Sequence, residues 1–82
     1  MTNLEKGLKA IQNSGYKINS LDLTVWYTDD GKVRIRENYC NFKFYLDINN
    51  KYDHAYDTKD EAIAYLGSIN AEFNGWDSEN DW

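Results

Sequence analysis

Proline is absent from this sequence, cysteine and histidine occur once each, and no apolar run approaches the roughly 20 residues a membrane-spanning helix needs. Without proline there is no proline-rich linker, and glycine and asparagine are left to punctuate the chain. Cys40 cannot close an intramolecular disulfide by itself, and no Cys/His spacing suggests a structural zinc, so a reducing cytosol is the expected setting. The run Met1-Thr2-Asn3-Leu4-Glu5-Lys6 lacks the apolar stretch of a secretion signal and reads as neither exported nor membrane-inserted.

The same scarcity empties the catalytic repertoire. A triad or an imidazole acid/base pair would depend entirely on His54. The one thiol, Cys40, falls by parity on the buried face of a strand, where a thiol is inert. Gly7, Gly15, Gly31, Gly67 and Gly75 are scattered and form no phosphate-cradling loop. Asp53, His54, Asp57, Asp60 and Glu61 offer metal-type ligands within nine residues, but the spacing is not diagnostic. A calcium-binding loop begun at Asp47 would put Lys51, Tyr52 and Thr58 where an acid, a glycine and a glutamate belong. Neither an enzyme nor a cofactor is therefore expected, and solvated acids around a helix start are the plainer account of those carboxylates.

What is present suits one small core. Of 82 residues, 41% are apolar, and three Trp, seven Tyr and three Phe supply bulky surface to bury. Thr2 with Glu5 makes a capping box, followed by Leu4, Leu8 and Ile11 at helical spacing, which predicts a helix over about residues 3–13 that stops at Asn13-Ser14-Gly15. From Leu21 the period becomes two, with Leu23, Val25 and Tyr27 on one face and Asp22, Thr24, Trp26 and Thr28 on the other. Asp29-Asp30-Gly31 turns the chain into Lys32-Val33-Arg34-Ile35-Arg36. A three-residue loop pairing Tyr27 with Val33 and Val25 with Ile35 keeps the apolar groups together, whereas pairing Trp26 with Ile35 mixes the faces. A third strand over Cys40–Ile48 alternates Cys40, Phe42, Phe44, Leu46 and Ile48 with polar residues. Tyr52 to Tyr56 reads either as a fourth strand at the sheet edge or as a loop.

Thr58 and Glu61 form a second capping box, and Ala62, Leu66, Ile69 and Phe73 then lie on one stripe of a helix that Gly75 ends. The expected architecture is a single α+β domain of order α-β-β-β-α, with an antiparallel sheet of three or four strands and both helices on one face, followed by an acidic tail over 77–82. Trp26, Arg34, Arg36, Lys43 and Tyr45 would then line the open face of the sheet.

Charge separates the two parts of the chain. Residues 1–46 hold seven Lys/Arg against five acids, whereas 47–82 hold nine acids against Lys51 and Lys59. The candidate binding residues are accordingly Asp53, Asp57, Asp60, Glu61, Glu72, Asp77, Glu79 and Asp81, with Tyr56 and Trp76 as aromatic anchors.

The element order is similar to that of double-stranded RNA-binding domains, but the start of the last helix reads Asp57-Thr58-Lys59-Asp60-Glu61 where those domains carry lysines, and acids there repel a polyanion. Ala55 to Ala62 resembles the strand-to-helix junction of the arm-type DNA-binding domains of phage integrases. Size, acidity, element order, Phe73-Asn74-Gly75-Trp76 followed by Asp77, Glu79 and Asp81, and a short first helix closing on Gly15-Tyr16-Lys17 together resemble small phage-encoded inhibitors, including anti-CRISPR proteins that act as DNA mimics. That resemblance implies a cytoplasmic protein of a bacterial host. It would present carboxylates as phosphate substitutes to the basic groove of a Cas effector or another DNA-handling enzyme, without binding nucleic acid or membrane itself. Two other classes follow from the expected open sheet face. One is a small nucleic-acid-binding module using Trp26, Arg34, Arg36, Lys43 and Tyr45; the other is a self-associating structural phage protein.

Overall fold

A computed structural model of the chain describes residues 2–15 and 17–73, except for the side chains of 70–73. Helix α1 (Asn3–Ala10) opens with the expected capping box. The Thr2 amide donates to Glu5 Oε1 at 2.8 Å and the Glu5 amide to Thr2 Oγ1 at 3.1 Å. It stops three residues sooner than its apolar spacing predicts. Asn13–Ser14 instead pairs with Tyr27 and Trp26 as a short strand β1, so sheet pairing claims residues that local propensity gave to the helix.

Strands β2 (Asp22–Tyr27), β3 (Val33–Asn38), β4 (Phe44–Ile48) and β5 (Lys51–Tyr56) complete a five-stranded antiparallel sheet in sequential order. The segment that read equally as strand or loop is thus the edge strand β5. Helix α2 (Lys59–Phe73) closes the fold and packs on β3, β4 and β5. Its own capping box has the Thr58 amide donating to Glu61 Oε1 and the Glu61 amide to Thr58 Oγ1, both at 3.2 Å. The α+β class and the terminal helices agree with the sequence pattern, while the sheet has two more strands than the three it required.

The β2–β3 register is the one the face argument rejected: Trp26 lies opposite Ile35 and Tyr27 opposite Arg34. The connection has four residues, Asp29 to Lys32, rather than three. Thr28 Oγ1 donates to Asp30 Oδ1 at 2.7 Å, the Lys32 amide donates to the same oxygen, and Gly31 takes a φ of 72° that a side chain would resist. These local bonds shape the loop and thereby set the register. The β4–β5 turn is Asn49-Asn50 with both φ values positive, the conformation a two-residue hairpin loop needs.

The register decides what each face carries. Toward α2 point Trp26, Val33, Ile35, Phe44, Leu46 and Ile48, which form the core with Ala62, Ile63, Leu66 and Ile69 of the helix and Leu4, Ala10 and Ile11 from the first part of the chain. Full burial of residues such as Ile35, Leu46, Ile63 and Leu66 stabilises the fold by about 2 kcal/mol each. Ile63 joins the predicted stripe of Ala62, Leu66 and Ile69, and the Phe73 side chain lies outside the described residues.

Candidate functional site

The face of the sheet away from α2 is not the open platform its sequence suggested. Arg36 and Val25 stand opposite each other there, as do Arg34 and Asp47, so all four share that face. Arg36 grips Asp47 with two hydrogen bonds, Nε to Oδ2 at 2.6 Å and Nη2 to Oδ1 at 3.2 Å. Its Nη1 lies 3.6 Å from Asp22 Oδ1, too far for a hydrogen bond but close enough to attract, and Arg34 Nη2 lies 3.6 Å from Asp47 Oδ2. Asp22 Oδ2 accepts the amides of Ile18 and Asn19, and Arg34 Nη1 donates to the Gly31 carbonyl and to Asn50 Oδ1. The side chains of this quartet are 0–13% exposed. The two arginines and two aspartates therefore neutralise one another inside the molecule.

Trp26, Arg34, Arg36, Lys43 and Tyr45 accordingly do not form one surface. Trp26 is on the helix side, with Lys59 Nζ 4.5 Å from its ring centroid and the Phe44 ring at 6.3 Å. Arg34 and Arg36 are committed to the aspartates. Tyr45 stacks its ring 5.5 Å from the Arg36 guanidinium, and Lys43 reaches across to Asp57.

Of the acids singled out, Asp57, Asp60 and Glu61 lie where β5 runs into α2, and Asp53 lies earlier on β5. Asp53 is an exposed residue of β5, Asp57 follows the strand, and Asp60 and Glu61 occupy the first turn of α2, where the helix dipole favours negative charge. Asp57 Oδ1 accepts from Lys43 Nζ at 2.9 Å, a contact that holds the lysine's pKa above its usual value but lies in solvent and is strongly screened. Glu61 caps its own helix, and the side chains of Asp53 and Asp60 form no hydrogen bond or ion pair among the described residues.

Tyr56 registers the field these acids make. Its phenol is pushed up to about 12, first by burial, then by Tyr65, and further by Asp53 and Glu61. Its ring stands 5.0 Å from that of His54 and 6.0 Å from that of Tyr65, so it is held in an aromatic row instead of projecting as a free anchor. Glu72 lies on α2, but its side chain is outside the described residues, as are Trp76, Asp77, Glu79 and Asp81 entirely.

Cys40 and Phe42 are corrected. Strand β4 begins only at Phe44, and Tyr39 to Phe42 form a turn, so alternation traced back from Leu46 does not apply to them. Both are exposed, Phe42 at 64%. Among the described residues no three His, Cys, Asp or Glu side chains gather in a way that could hold a metal ion. No described helix is long and apolar enough to cross a membrane.

No protein-family model, curated protein or solved structure matches this chain.

Proposed function

We propose that this chain is a non-enzymatic binding protein whose acidic β5–α2 corner docks on the basic surface of a nucleic-acid-processing protein. Acting as a phage-type inhibitor in a bacterial cytoplasm, it would occupy a groove built for phosphates in a Cas effector or another DNA-handling enzyme. The observation that carries this reading is the internal use of both arginines. Once Arg34 and Arg36 are neutralised by Asp22 and Asp47, twelve acids remain against seven lysines, and four of those acids crowd the stretch from Asp53 to Glu61. Carboxylates at a helix start and along a strand edge can lie where a basic groove expects phosphate oxygens.

The test is competition. The chain should displace labelled duplex DNA from a susceptible enzyme in a panel of purified DNA-handling enzymes that includes a Cas9-type effector, and it should leave labelled DNA and RNA untouched when alone. Affinity should fall steeply with added salt. The combined substitution Asp57→Asn, Asp60→Asn and Glu61→Gln should weaken displacement by about tenfold or more, as loss of complementary charge at a protein interface does. Retention of DNA by the free chain, or displacement indifferent to those three charges, would sink the reading.

A further inference from the structure

Strand order leaves β5 at one edge of the sheet. Among the described residues the backbone of Lys51–Tyr56 pairs with β4 alone, so its outer row of N–H and C=O groups is open to a further strand. Lys51, Tyr52, Asp53 and His54 are exposed, and Ala55 and Tyr56 are half-buried. Natural edges are kept from pairing indiscriminately by charge, by a bulge or by cover, and β5 uses the first two. Leu46 pairs with His54 and Asp47 with Tyr52, which makes Asp53 the extra residue of a bulge with no partner on β4. The bulge leaves His54, Ala55 and Tyr56 as a regular run bracketed by two exposed carboxylates, Asp53 before it and Asp57 after it.

A groove lies beside that edge. Strand and helix are joined at one end by a row of rings, His54 to Tyr56 at 5.0 Å and Tyr56 to Tyr65 at 6.0 Å. From Tyr65 onward they leave a space of about 410 Å³, with Tyr65 and Ile69 of α2 on one side, Ile48 and Tyr52 on the other, and Lys51 and Asp53 also lining it. A backbone edge next to an apolar groove is the arrangement that holds an added strand: main-chain bonds fix the segment, and alternate side chains enter the groove.

The charges decide which segment is admitted. Two copies of the chain paired antiparallel about Ala55 would set Asp53 of each against Asp57 of the other, and like charges directly opposite destabilise a strand pair. A segment carrying lysine or arginine at those places is attracted instead. The contact of Asp57 with Lys43 lies in solvent, so a partner's cation can replace it.

We propose that the β5 edge accepts an extended segment of the partner protein as a further strand, its lysine or arginine side chains meeting Asp53 and Asp57 and one apolar side chain entering the groove between Tyr52 and Tyr65. This rests on the reading above and adds the mode of contact: the acids draw a basic surface in, and main-chain bonds hold a strand of it.

Short peptides of equal positive charge test this: one alternating lysine and valine, two forms of it N-methylated on odd or on even residues, and an oligolysine. Each is titrated into the full chain, into Asp53→Asn, and into the combined Asp57→Asn, Asp60→Asn, Glu61→Gln variant, and amide exchange is followed by NMR. In the free chain only the β5 amides bonded to β4 should exchange slowly, and the alternating peptide should slow the other set. Successive amides of a strand point to opposite sides, so N-methylation in one phase should cost about tenfold in affinity and in the other phase little. Oligolysine, with nothing to bury in the groove, should bind about tenfold more weakly than the alternating peptide. Asp53→Asn should weaken the alternating peptide by about threefold, the worth of an exposed ion pair, and an unchanged affinity would overturn the placement. If both methylated forms bind as the unmethylated one does while the combined acid variant loses all four peptides, strand addition is overturned and the acidic surface stands. If the acid variant loses none, both ideas fall. Both sets of β5 amides slow in the free chain would also overturn the proposal, assigning the edge to a second copy where dilution restores exchange and to another part of this chain where it does not.

Discussion

Tyr56 carries a proton whose release reports its burial first and the charges around it second. Its phenol is pushed from the ordinary value near 10 up to about 12, by burial first, then Tyr65, then Asp53 and Glu61. A raised folded-state value means that the stabilising contribution is fully present below pH 10, where folded and unfolded chains both keep the proton. It is lost as pH rises toward 12, because the unfolded chain releases the proton first. Urea unfolding of the parent should therefore show stability falling across that window, and Tyr56→Phe should flatten the slope by about one proton. An identical slope in the two proteins would mean that folding leaves the Tyr56 phenol where it lies in the unfolded chain. At this scale the sequence was readable wherever the chemistry is local. Thr2 with Glu5 and Thr58 with Glu61 bond as their spacing requires, because a capping box involves only four consecutive residues. Phe42, with a φ of 58°, was not readable, since nothing in its neighbours announces that an aromatic residue will take a position glycine usually fills.

Among the elements, the two helices meet at glycines. A Cβ on Gly67 would collide with the Asn3 carbonyl oxygen and lie 2.7 Å from the Gly7 amide nitrogen; one on Gly7 would collide with the Ile63 carbonyl oxygen. The backbones of α1 and α2 therefore cross in contact, which only residues without a side chain permit. Alanine would gain about 1 kcal/mol of helix propensity at either position, but the obstruction is backbone and cannot swing aside. Gly67→Ala should thus destabilise the domain by about 2 kcal/mol or more in urea unfolding. Adding Gly7→Ala should cost less than the sum, because both substitutions push apart the same crossing. A neutral or stabilised Gly67→Ala would mean that the helices can separate freely. Two glycines inside apolar helical patterns were the available signal for this crossing, and reading them as punctuation missed it. The β2–β3 register was missed for a different reason. Side-chain parity assumes that apolar groups belong on one face, whereas here Val25 is buried opposite Arg36, on the face that also carries the ion network.

For the molecule as a whole, the sheet has a greasy side under α2 and an ionic side where Asp22, Arg34, Arg36 and Asp47 cancel. The sequence disclosed the first through its apolar periodicity. It disguised the second, because Arg34 and Arg36 alternate like solvent-facing residues and their partners lie on other strands. The candidate acids were legible as charge, and Asp53, Asp57, Asp60 and Glu61 are exposed along β5 and the start of α2. This division makes salt act in two directions. A net charge of −5 held mostly outside the ionic network repels itself, so raising salt from roughly 20 to 500 mM should raise the melting temperature modestly while it weakens binding through the same carboxylates. The combined Asp57→Asn, Asp60→Asn and Glu61→Gln variant, which brings the net charge from −5 to −2, should show less of both effects. Glutamine at 61 can still close the capping box, so its fold should survive. Asp47→Asn should behave differently, lowering the melting temperature by a similar amount at either salt concentration, because its bonds to Arg36 are sheltered from ions. Calorimetry on the three proteins at two ionic strengths separates these outcomes. A parent that melts earlier in high salt would show that surface ion pairs outweigh repulsion, and the exposed acids would then be partnered groups instead of a surface waiting for cations.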